Sequence, residues 1–165
     1  MKKIWILLTC VIFSALNISL VGAITENQEK AITEHCSEIK EQLKTVQKDD
    51  ARTRVHLGGR YETILTEFMT PLNVRLLENN LSSAELVENQ NNFAETKSLF
   101  NSDYINYQQV LEELVAMDCK KEPTAFYEKL DKVRQKRKIV QQDALKLRNL
   151  ISKHVRLVTE LKGRV

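Results

Sequence analysis

From Phe126 onward the chain steps by fours and threes through Phe126, Leu130, Val133, Arg137, Val140, Ala144, Leu147, Ile151, His154, Val158 and Leu161, and nine of these eleven positions are apolar. Such spacing draws one stripe along an α-helix, whereas a strand would scatter the same residues over both of its faces. Glu122-Pro123-Thr124 marks the start, because an early helical position does not need the N–H that Pro123 lacks, and no breaker follows until Gly163. The pattern predicts a helix over 124–162, roughly 58 Å long at 1.5 Å per residue. Leu150, Val155 and Leu157 flank the seam and widen it to a face that can touch two neighbours. A bundle therefore fits better than an isolated helix pair.

The rest of the chain reads as helix too. With 4 Gly and 2 Pro in 165 residues and aromatics at 6%, turn-rich all-β classes are starved of material. In the middle segment Phe93, Phe100, Tyr104, Tyr107, Leu111 and Leu114 keep helical spacing, weakened in the first half by Lys97 and the Asn-rich run 89–92. Ser82 or Ser83 is the expected cap, with Glu85 three residues after Ser82 as in a capping box. In the first segment Ile32, Cys36, Ile39, Leu43 and Val46 form a seam that Asp50 interrupts, and the pattern resumes at Tyr61, Ile64, Leu65 and Phe68. Pro71 removes an intrahelical hydrogen bond and predicts a kink near Thr70. The expected fold is an all-α, elongated antiparallel three-helix bundle with helices at about 26–79, 83–118 and 124–162. The alternative is four helical segments, with the first helix broken at Gly58-Gly59.

The first 23 residues read as a secretory signal. Lys2 and Lys3 precede an apolar stretch from Ile4 to Val21, and Val21-Gly22-Ala23 supplies small residues for cleavage after Ala23. The competing reading keeps residues 4–23 as a membrane anchor, since a largely apolar stretch of 20 residues just spans a bilayer. Residues 24–165 then form a single domain carrying 23 basic and 22 acidic groups, with a marked split. Residues 24–123 hold 11 basic and 18 acidic side chains, and 124–165 hold 12 and 4.

Export also bears on the cysteines. Loss of Cys10 with the signal leaves Cys36 and Cys119, an even count in a compartment where thiols are commonly oxidised. If the first two helices fold back near Asn80, Cys36 lies 44 residues before that point and Cys119 lies 39 after it. That mismatch is roughly 8 Å along the bundle, within what the irregularities at Gly58-Gly59 and Pro71 absorb. A Cys36–Cys119 disulfide is expected.

Chemistry is sparse. His35, His56 and His154 are far apart, and none has a second His or Cys three or four residues away, so no metal site is expected. His154 lies on the seam, which argues for packing. Glu112-Glu113 and Asp49-Asp50 are adjacent carboxylates that diverge on a helix, and no phosphate loop, nucleophile elbow or H-E-x-x-H occurs. No catalytic residue and no cofactor is expected. Lys129, Lys132, Lys136 and Lys138 crowd one stretch of the third helix. They read first as a solvated face neutralising the acidic helices, and second as a patch for an acidic envelope polymer or anionic lipid. Nucleic acid is disfavoured because aromatics for base stacking are not interleaved. Arg137 on the seam is expected to pack its stem and turn its head outward. Two functions follow as expectations. The first is an exported structural or interaction module of the cell envelope that binds another protein, or itself, through helical surfaces. The second is a chaperone-like holder of unfolded exported clients that uses the basic third helix.

Overall fold

The computed structural model describes residues 24–81 and 83–163, and every regular element among them is helical. α1 (Glu26–Glu34), α2 (Cys36–Thr63), a π-helical segment (Ile64–Met69) and α3 (Thr70–Glu78) follow one another as a first rod. α4 (Ala84–Ala116) returns beside it, and α5 (Pro123–Lys162) runs back again. Contacts of α2 and α3 with α4 and the turn after it pair early residues with late ones, Cys36 with Cys119, Asp50 with Tyr107, Glu62 with Lys97 and Asn73 with Gln90. Those rods are antiparallel, as the sequence predicts. The signal-peptide reading of residues 1–23, its anchor alternative and any cap from Ser82 lie outside the described residues.

The expected seams carry the core. On α5 Phe126, Val133, Leu147 and His154 are buried, and on α4 Leu86, Asn89, Phe93, Thr96, Phe100, Tyr104, Tyr107, Leu111 and Leu114 are buried at heptad spacing. α4 and α5 are the most extensively packed pair, with α2 laid on α4. Two apolar clusters result. One gathers Ile32, Cys36, Leu111, Leu114, Cys119, Phe126 and Val133, and the other gathers Tyr61, Met69, Phe93, Phe100 and Leu147. In the second, Tyr61 meets Phe93 and Phe100 edge to face at centroid distances of 6.1 and 5.5 Å.

The irregularities of the first rod fall elsewhere than the alternative reading places them. α2 passes through Gly58-Gly59 without a break, because a glycine pair lowers helix stability without removing any hydrogen bond. The defects are a one-residue interruption at His35 and the π turn before Pro71. Pro71 has no N–H to give, and its ring would press on the carbonyl of Glu67. A widened turn over 64–69 accommodates both.

The rod ends in a Schellman cap. Asn80 sits in the left-handed region at φ 56°, Leu81 N–H donates to the Leu76 carbonyl at 2.8 Å, and Asn80 N–H donates to that of Leu77 at 3.1 Å. Ser83 is the N-cap of α4 but makes no side-chain capping bond. The capping box is instead at α1, where Thr25 and Gln28 cap each other reciprocally.

Candidate functional site at the open end of the bundle

One end of the bundle is closed and the other is not. At the closed end Cys36 and Cys119 stand at disulfide distance, with Cα atoms 5.7 Å apart and a sequence separation of 83. Cys119 does not end α4 but lies fully buried in the turn after it, where Asp118 Oδ1 accepts from the backbone N–H of Lys120 and Lys121. Those backbone bonds hold the Asp118 carboxyl below its usual pKa. Lys40 Nζ reaches across to the Met117 carbonyl at 3.1 Å.

At the other end the first rod lies on α4, and a groove of about 640 Å³ separates it from α5. One wall is Ile64, Glu67, Phe68, Pro71, Leu72 and Arg75, and the other is Ile151, His154, Val155, Val158 and Thr159. The π turn sets the first wall, turning Met69 into the core while Phe68 stays 63% exposed. Val155, expected to widen the buried face of α5, is 60% exposed on the opposite wall, while its neighbour Leu157 is buried. Both residues flank the seam, and Val155 lies on the side where the groove keeps the first rod from covering it. His154 is 92% buried, yet both ring nitrogens lack a hydrogen-bond partner among the described residues. Burial disfavours its cation and lowers its pKa. Asn73 and Asn89 tie the walls to α4. Asn73 Nδ2 donates to the Leu86 carbonyl and to Gln90 Oε1, and Asn89 Nδ2 donates to the Leu150 carbonyl at 3.1 Å.

Between the two apolar clusters lies a polar layer. Arg137 does not simply turn outward. Its Nε and Nη2 each donate to the Asp50 carboxylate at 2.8 Å, and Tyr107 Oη donates to the same group at 2.7 Å. The two seam interruptions, Asp50 and Arg137, are thus partners. Hydrogen bonding to Asp50 raises the Arg137 pKa, and burial followed by that carboxylate holds the Tyr107 phenol well above its usual value. Arg54 stacks over the Tyr104 ring at 5.6 Å.

The lysine stretch does not act as one unit. Lys129 pairs with Glu113 of α4, as a neutralising face requires, whereas no ion pair is recorded for Lys132, Lys136 or Lys138 among the described residues. The adjacent carboxylates diverge, with Asp49 near Arg52 and Asp50 on Arg137, and with Glu112 accepting from Gln108 while Glu113 pairs with Lys129. His35 and His56 are exposed on α2 or its junction. Among the described residues no group of three or more His, Cys, Asp or Glu side chains could hold a metal ion.

A carboxylate pair does form, from residues distant in the chain. Asp103 of α4 faces Asp143 of α5, and burial, then the Asp103 charge, raises the Asp143 pKa. Antiparallel arithmetic about the 117–122 turn sets residue 103 nearer 136 than 143, so the pair was not legible in the sequence.

Comparison of the chain with protein-family models, curated proteins and solved structures finds no match to any of them.

Proposed function

We propose that this protein is an exported, non-catalytic helical module of the cell envelope that holds a partner in the groove between the π segment, α3 and α5. The observation that carries this reading is the pair of exposed walls, with Phe68 63% and Val155 60% exposed on either side of the buried His154. Apolar side chains gathered around a groove mark interaction surfaces, and an amphipathic helix laid between two helical walls is a common way to cover one. The unpartnered His154 ring offers such a helix one hydrogen bond. Export is supported by the signal-like N-terminus and the Cys36–Cys119 pair. Among the described residues no helix is long and apolar enough to cross a membrane.

A photo-crosslinking residue at Val155, in the cell that makes the protein, tests this reading. One discrete adduct is expected, lost when Phe68→Ser is added. An adduct pattern unchanged by Phe68→Ser, or none at all, would overturn the reading. The open groove and the three lysines without ion pairs favour a second reading, a holder of unfolded exported clients. That reading expects a smear of adducts and suppressed aggregation of an unrelated denatured protein.

A further inference from the structure

Resting on that reading, we infer that the groove's occupant is the π–α3 wall of a second copy of this chain, docked about a two-fold axis near Pro71. The argument begins from charge. Glu67 and Arg75 line the same wall, both are exposed, and neither makes an ion pair among the described residues. They lie four residues before and four residues after Pro71. An antiparallel second copy centred there sets each Glu67 against the partner copy's Arg75, whereas a parallel copy sets like charge on like. Phe68, three residues before Pro71, projects from this wall and is 63% exposed.

Such a contact is isologous, so it closes at two copies and leaves no wall to propagate a fibre. Each copy gives one projecting ring, Phe68, and one slot between α3 and α5 to receive it. Attraction comes from removing Phe68, Val155 and Leu72 from water. The two rim pairs fix orientation more than strength, because exposed ion pairs contribute little affinity while like-charge contacts are penalised. His154 at the slot's floor is neutral near pH 7 and so carries no charge to oppose an entering ring.

Sedimentation equilibrium of the purified protein at neutral pH tests the inference, with circular dichroism confirming that each variant remains helical. The wild type is expected to be a reversible dimer, and Phe68→Asp a monomer. Glu67→Arg and Arg75→Glu are each expected to weaken dimerisation by about fivefold or more. The two together are expected to restore it, since only the charges have changed places. A wild type monomeric at about 100 µM, single reversals without effect, or a double reversal that fails to restore the dimer would each overturn the inference. A monomer whose Val155 crosslinker still captures a different single protein refutes this inference and leaves the docking groove standing, whereas an uncrosslinked groove refutes both.

Discussion

The two ends of this bundle obey one heptad grammar and reach opposite results. At the disulfide end α1, α2, α4 and α5 meet around Ile32, Leu111, Leu114 and Phe126, and the last two are entirely buried. At the open end Leu86 and the flanking Leu157 stay buried, but polar Asn89 and Asn73 hold the rods, each with an oxygen lacking a partner among the described residues. The difference lies in the first rod, the third of the bundle beside α4 and α5. Where it covers their seam, Leu111, Leu114 and Phe126 are inside; where the groove opens beyond the π turn, Phe68 and Val155 are left in water. A widened apolar stripe therefore announces a neighbour, which need not belong to the same copy.

Breaking the covalent tie should have the largest effect. Replacing Cys36 and Cys119 by serine should cost about 4 kcal/mol in urea unfolding, as loop closure over a long segment implies. Two titratable thiols in the unreduced, denatured protein would refute the bridge. Core truncation comes next, and it sharpens the contrast between seam and groove. Leu147→Ala should cost about 3 kcal/mol, while Val155→Ser, at protein concentrations too dilute to dimerise, stays within about 0.5 kcal/mol. Equal melting shifts would mean that the groove is closed in solution.

Arg137→Ala falls between these. It leaves Asp50, whose side chain is 20% exposed, with Tyr107 as its remaining hydrogen-bond partner, so a loss of about 1–2 kcal/mol is expected by chemical denaturation. The Tyr107→Phe background should make that loss larger. Gly58→Ala and Gly59→Ala should each stabilise by about 0.5–1 kcal/mol, since an added Cβ meets nothing within 4 Å at either position. A loss of helicity on either substitution would show that the pair is needed as a hinge.

The smallest effect is expected from His154. Its folded pKa lies below its unfolded one, so the unfolded chain takes up a proton that the folded chain refuses. Stability is full above the ordinary value of about 6.5 and falls as pH drops through it towards the folded pKa. The charged residues that line the same groove are Glu67 and Arg75. His154→Leu should flatten the melting profile between about pH 7 and pH 5, and an unchanged slope would show that the ring titrates alike in the folded and unfolded chain.

Much of this molecule was legible in its residues. Heptad spacing located the seams of α4 and α5, Pro123 marked the start of α5, and two cysteines after a signal-like segment named their own partner. These are local or arithmetic properties, and a repeat of 3.5 survives any tertiary arrangement. Asn89 appeared to weaken the α4 pattern because polarity alone does not reveal that it will donate to the Leu150 carbonyl.

What only the tertiary structure decided is how interruptions combine. Asp50 and Arg137 each look like a fault in a seam, and they become one bidentate pair because antiparallel rods bring positions 87 residues apart to the same level. Gly58-Gly59 looked like the break and Pro71 was the better guide, because a missing hydrogen-bond donor must be accommodated and a missing side chain need not be. The groove was invisible for the same reason. Sequence periodicity states which residues want to be covered, and only the path of the third rod determines which of them are.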